Sequence, residues 1–185
     1  MAPIDANTLK PLLLLGGYNA EQLWPTTNLT MPGWLLLALF PRWKHTARLS
    51  LVGPLISSII YTLGMISLIV GGDGTGEDPD FMSLEGVATM FRDPNAVFLG
   101  WTHYVAYDAL VYRWIVLDSI ERGASLKVHY VLIVPCLFFA LMLGPIGFVL
   151  YVMLVRPLVL KGGIKIDSAK DLSEHSQPYD GLKSE

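Results

Sequence analysis

Four blocks of apolar residues, each near the length needed to cross a bilayer, constrain this chain more than any other feature. A spanning helix needs roughly 20 mainly apolar residues. Leu49 to Val70 and Val131 to Val155 carry no charged residue at all. Ala96 to Leu117 is interrupted by His103, Asp108 and Arg113. Leu23 to Phe40 is polar at first (Thr26, Thr27, Asn28, Thr30) and strongly apolar only from Trp34. In a soluble protein these blocks would be core helices, yet almost no amphipathic helices remain to cover such a core. Charged residues make up 16% of the chain, against about a quarter in a soluble domain. The expected fold is therefore all-α, an integral membrane bundle of about four transmembrane helices.

The connecting segments give an expected division into an N-terminal segment (1–22), a four-helix transmembrane domain (23–158) and a polar, disordered tail (159–185). Residues Met1 to Glu21 hold one short run, Leu12 to Leu15, ending at Gly16-Gly17. They lack the basic start and cleavage site of a signal peptide, and Asp5 argues against a transit peptide. Pro41-Arg42-Trp43-Lys44 suits the headgroup zone, with the ring at the interface and the charges in water. Gly71 to Asp93 is rich in Gly and acid and reads as a flexible turn. Its Gly72-Asp73-Gly74-Thr75-Gly76 lacks the spacing and preceding strand of a phosphate loop. Leu84, Val87, Ala88 and Phe91 then recur at helical spacing, which predicts a short interfacial helix. Asp93 is placed to N-cap the third helix, Pro94 to open it and Gly123 to stop it.

Charge leaves the orientation open. The first loop carries Arg42, Lys44 and Arg48 and the third Arg122 and Lys127, whereas the second has Arg92 beside six acids. Those counts put the first and third loops on the positive side. Four crossings would place the tail opposite, although it brings Arg156, Lys161, Lys165 and Lys170. A fourth helix that crosses once, kinked at Pro135 and Gly144-Pro145, is the simpler reading. A re-entrant break at Gly144-Pro145 would remove the conflict.

Several chemistries are set aside. The small net charge, −3, and the lack of a basic stripe give no reason to expect nucleic acid. Cys136, the single cysteine, excludes an internal disulfide and reads as inert packing. The four histidines are scattered with no i, i+4 pair, so no metal site is expected. Asn28-Leu29-Thr30 is a glycosylation sequon by letters, but it lies inside the first crossing.

The third helix is where chemistry is expected. At 100° per residue, His103, Tyr107 and Trp114 fall together, with Gly100, Tyr104, Val111 and Asp108 on the same arc and Trp101 at its margin. That arc is expected to face protein, so that His103, Tyr107 and Asp108 are covered while Leu99, Ala106 and Leu110 face lipid. Asp108 sits roughly 18 Å along from the start of the block, near the bilayer middle. A carboxylate there costs at least about 2.5–3.5 kcal/mol, so it should be paired, protonated or functional. Interhelical glue, through Asn28, Ser57, Ser58 or Thr62, is as good an explanation as catalysis. His103 lies about 7.5 Å from Asp108 along the axis and about 140° around it, compatible with a shared cavity but not with a direct bond.

At these residues a family comes into view. Trp101-x-His103 followed by Asp108 and Arg113-Trp114, then Val134-Pro135-Cys136-Leu137 and Gly144-Pro145-Ile146-Gly147, resembles the abscisic-acid-deficient-four-like membrane proteins. Asn28-x-x-x-Pro32-x-Trp34 and Pro41-Arg42-Trp43 resemble that family's first segment and its exit. The similarity covers roughly Leu23 to Arg156, with Asn28, Pro32, Trp34, Gly144 and Pro145 in structural positions. It implies a small four-helix membrane protein tied to forming neoxanthin from violaxanthin, in a plastid membrane if the source is photosynthetic.

That conversion, from a carotenoid epoxide to an allenic alcohol, is a redox-neutral isomerisation that needs no cofactor. One group protonates the epoxide oxygen and another takes a proton from the polyene. On this resemblance Asp108 is the acid, His103 the base, and Trp101, Tyr104, Tyr107 and Trp114 line a slot for the polyene. The expected partners are membrane lipid and a carotenoid or other long apolar ligand, with protein partners unspecified. The alternative is a non-catalytic protein that binds a pigment or lipid or supports an enzyme complex. It needs only the aromatic stripe, with Asp108 as glue. A proton-coupled transporter would need more intramembrane charge and an internal repeat.

Overall fold

The computed structural model describes residues 10–71 and 82–160. The expectations for the tail, for most of the acidic loop and for residues 1–9 lie outside the described residues. Among the described residues the fold is all-α, apart from one isolated bridge between Leu12 and Tyr18.

The first helical run starts earlier than the apolar block. Asn19 and Gln22 form a capping box, each side chain accepting from the other's backbone N–H, and this opens α1 (Ala20–Leu23). A 3₁₀ segment, Trp24–Thr30, leads directly into α2 (Met31–Leu39). The polar first half is absorbed locally. Thr26 and Thr27 donate to the carbonyls of Leu23 and Trp24, so neither hydroxyl needs water.

Helix α3 (Thr46–Leu49) and α4 (Val52–Gly71) follow the first loop. The expected short helix is α5 (Leu84–Met90), capped by the Ser83 hydroxyl, which accepts from the Gly86 N–H. The Asp93 side chain accepts from the Asn95 N–H and starts α6 (Pro94–Glu121), with Pro94 at its first position. Gly123 follows at φ 76°, the left-handed conformation of a helix stop.

The fourth block departs from expectation. Helix α7 (Leu126–Val128), a π turn (His129–Ile133) and α8 (Val134–Leu143) run as one helix up to Gly144. There the chain reverses. Helix α9 (Pro145–Leu150), a second π turn (Tyr151–Val155) and α10 (Arg156–Leu158) return alongside. The two π turns pack against each other, and Arg156 comes level with Asp118, near the end of α6. The single crossing expected over Val131 to Val155 is thus a helical hairpin. The physical reason is Gly144, whose φ of 52° and ψ of −102° no helix interior accommodates.

Among the described residues two helices are long and apolar enough to cross a membrane by length and composition, Thr46–Val70 and Leu126–Leu143. Helix α6 has the length, 28 residues, but its polar residues break the apolar run. It is the centre of the bundle, packed against α4, α2, α8 and α9. The residues before the first helix fold back onto it as well. Asn95, 1% exposed, accepts from the Ala20 N–H and donates to the Lys10 carbonyl.

The hairpin closes through Gly147, where an added Cβ would collide with backbone atoms of Ala140 and Cys136. Gly147→Ala should therefore lower the midpoint of thermal unfolding in detergent, by roughly the 1–3 kcal/mol of an overpacked core. Ile146→Ala, at an exposed neighbour, should shift it little. Equal midpoints for the two variants would show that the arms do not meet in this way.

The base of the hairpin is fastened through Asp118, which lies just beyond the apolar part of α6. Its carboxylate accepts from the Tyr151 hydroxyl (2.5 Å), from Arg122 Nε (2.8 Å) and from Arg156 Nε and Nη2 (3.1 and 3.2 Å). Burial pushes its pKa up, but the bonds from Tyr151, Arg122 and Arg156 outweigh burial and hold it below the usual carboxylate range. Because the folded value is depressed, the stabilisation is full above the ordinary value and is lost as pH falls through the folded one. The unfolding midpoint should stay level down to about pH 4 and then drop. Asp118→Asn should lower it at pH 7 and flatten the acid limb, as read by thermal scans across pH.

Candidate functional site at the hairpin tip

The reversal at Gly144 brings the tip of the hairpin against Asp108, midway along α6. The missing side chain makes the room. A Cβ on Gly144 would stand 3.1 Å from one Asp108 carboxyl oxygen and 3.5 Å from the other. Asp108, Trp101 and Val105 from α6, Thr27, Asn28 and Met31 from the first run, and Leu141 and Met142 from the tip line a cavity of about 160 Å³. Asp108 is half-buried and makes no hydrogen bond among the described residues. The Asn28 amide is barely engaged, with one bond to the Pro25 carbonyl at 3.5 Å. One turn from Asp108, the Tyr112 hydroxyl donates to the Thr30 carbonyl. The Thr30 hydroxyl itself is buried without a partner.

Trp101 stacks on Trp24 at the cavity's edge, with ring centroids 6.1 Å apart. Pro32 sits at the start of α2. Trp34 donates its indole N–H to the Leu137 carbonyl and so joins α2 to the hairpin. Gly144 is the apex and Pro145 the first residue of the return arm.

His103 is placed elsewhere. Its ring lies among Tyr61, Tyr107 and Tyr104, with centroids 5.3, 4.7 and 6.1 Å away, on the outside of the molecule. It does not line the cavity, so the shared cavity of His103 and Asp108 is not formed. Trp114 is separate again, against Phe148 and Tyr151 of the return arm with Arg156 over its ring.

The orientation expected for α6 holds for Asp108, which faces the hairpin tip, but is reversed for the residues around it. Trp101, Tyr104 and Tyr107 are 52%, 63% and 60% exposed, while Leu99 and Ala106 are buried. Only Leu110 faces outward as expected. The expectation carried over a rule from water, where apolar residues pack and polar ones face solvent. Helices packed without that driving force favour small residues at their contacts, and Thr102, Ala106 and Ala109 supply them here. The bulky tyrosines and tryptophans stand outside.

Chemically, the cavity offers one carboxyl, one amide and a stacked indole pair within apolar walls. The carboxyl can give or take a proton or bond a ligand oxygen, and the rings can hold a flat apolar group. Among the described residues no three His, Cys, Asp or Glu side chains gather as a metal site would require. Sequence reasoning missed Trp24, which reaches the cavity's edge by stacking on Trp101, and Leu141 and Met142, which become site residues only through the reversal. It weighed Asn28 as glue and as a structural position, not as a group facing a ligand. The sequence model of the ABA4-like family, described as ABA DEFICIENT 4-like, matches residues 22–151. No curated protein and no solved structure matches the chain.

Proposed function

The chain belongs to the ABA DEFICIENT 4-like family, and from that premise we propose that it is an integral membrane protein acting in xanthophyll metabolism. Its reaction is the isomerisation of a carotenoid epoxide to an allenic alcohol, violaxanthin to neoxanthin. The observation that carries the chemistry is the Asp108 carboxyl, without a hydrogen-bond partner among the described residues, in a cavity otherwise lined by apolar, hydroxyl and amide groups.

The membrane assignment is supported by how little of the apolar surface is covered. In the most apolar stretches of Thr46–Val70 and Leu126–Leu143 only 28% is buried, unlike the core helix of a soluble protein. Apolar surface of that extent suits hydrocarbon. In this reading the first run, α4 and α6 cross the bilayer, while the hairpin enters from one surface and turns back beside Asp108. Three crossings put the tail with the first and third loops and remove the charge conflict. In a photosynthetic source the membrane is a plastid one.

The atoms balance within the cavity. Asp108 in its neutral form gives its proton to the epoxide oxygen as one carbon–oxygen bond breaks. The proton on the adjacent polyene carbon must leave as the allene forms. Asp108 is the single titratable group among the lining residues, so its second oxygen is the proton acceptor, and the carboxyl ends as it began. Asn28 orients the substrate oxygen, and the Trp24–Trp101 pair holds the end ring. The outward row of Trp101, Tyr104 and Tyr107 favours a second reading, in which the protein binds a pigment or lipid without converting it.

Expression in a violaxanthin-accumulating host with pigment analysis separates the two. Asp108→Asn should insert and fold yet lose product about 10²- to 10⁴-fold, the usual range for general acid catalysis. His103→Gln, outside the cavity, should retain it. A folded Asp108→Asn protein with full activity would remove the acid role, and no neoxanthin from the wild type would favour the binding reading.

Topology has its own test. With Cys136 buried, a membrane-impermeant thiol reagent should label Lys44→Cys, Lys127→Cys and Ser168→Cys from one side and Thr75→Cys from the other. Ser168→Cys labelled together with Thr75→Cys would restore four crossings.

A further inference from the structure

The hairpin's return gathers positive charge at one end of the molecule. Arg42 reaches across to the third loop and donates to the Ala124 carbonyl at 2.6 Å, a partner without a formal charge. Arg122 and Arg156 both bond Asp118, so two guanidinium groups share one carboxylate. Lys44 and Arg48 in the first loop and helix α3, and Lys127 at the start of the hairpin, belong to the same end. Arg113 joins them by donating from α6 to the Ala47 carbonyl, so among the described residues seven cations there face two acids, Asp118 and Glu121. Among the described residues the ion pairs are those of Asp118. Trp43 and Tyr130 stand exposed at the same level, and the Tyr130 hydroxyl donates to the Leu39 carbonyl.

We propose that this end is a docking surface for anionic lipid headgroups, centred on the exposed Arg42 and the part-exposed Arg156. Guanidinium groups match phosphate oxygens in pairs, and that of Arg156, 34% exposed, is already held in place by Asp118, while Arg122, 11% exposed, adds only its charge. Exposed aromatic rings beside cations are the side-chain pattern of the headgroup layer. The opposite end repels the same lipids, because among the described residues Glu21, Glu85 and Asp93 there outnumber Lys10 and Arg92. The selectivity therefore belongs to one leaflet. It rests on the membrane assignment above, and on the hairpin bringing Arg156 back to the end that the first and third loops occupy.

The full-length protein is reconstituted in vesicles of equal phosphatidylglycerol and phosphatidylcholine, washed at alkaline pH and extracted, and the retained lipids are counted by mass spectrometry. Phosphatidylglycerol should be retained several-fold over phosphatidylcholine, and the excess should collapse in high salt. Arg42→Gln should cut the excess by about fivefold, the effect of one cation near an anionic surface. Arg92→Gln, the same charge change at the other end, should leave it in place. If Arg42→Gln does not fold, the double variant Lys44→Gln, Lys127→Gln carries the test, and an unchanged excess overturns the proposal. Equal retention of both lipids by inserted wild-type protein, or an equal loss in Arg92→Gln, also overturns it. Release of the protein by the alkaline wash overturns the membrane assignment instead, and this proposal with it.

Discussion

A reversal of the backbone between two apolar helices has to be made without leaving peptide groups unsatisfied, and the rest of this structure depends on how residues 144 and 145 do it. Gly144 still donates its N–H to the Ala140 carbonyl, closing the outgoing arm. Its positive φ then turns the chain in a single residue. Pro145 has no N–H, so the returning arm begins with one orphan donor fewer. Wherever water is excluded an unsatisfied polar group is costly, and that economy of polar groups is what lets a turn be buried. The contact of Gly147 with the outgoing backbone keeps the arms together, and Asp118 ties their base to α6.

Several other features follow from that turn. The tip ends beside Asp108, so the carboxyl has a glycine for a neighbour instead of a crossing helix. The cavity exists because the hairpin stops there. The same return carries Arg156 to the end already occupied by Arg42 and Arg122, and one carboxylate holds two of these three cations.

Much of the architecture was legible in the sequence because it is local. Block lengths located the helices, and Asp93, Pro94 and Gly123 marked the ends of α6 as capping chemistry requires. The spacing of Leu84, Val87 and Phe91 located α5. What was not legible depends on contacts between distant segments. A Gly-Pro pair in an apolar run signals a kink and a reversal equally well, and only the fit of Gly147 against Ala140 and Cys136 decides between them. The outward face of α6 was misjudged for a related reason. Amphipathicity identifies the packed face when water is the alternative, whereas Ala106 and Ala109 pack here because they are small. Asp108 could be singled out as a polar residue in an apolar block, but its separation from His103 needed the third dimension.

The buried amide of Asn95 has one further consequence. Its two partners are the Lys10 carbonyl and the Ala20 N–H, both upstream of residue 22, where the family match begins. A shortened chain cut at the edge of the matched region would keep every residue of the match and strip that amide of both partners. Sequence similarity and the packed structure therefore end at different places in this protein. Any expression clone, fusion partner or cleavable tag has to respect the second boundary, because the stretch that looks dispensable on paper closes the top of the bundle.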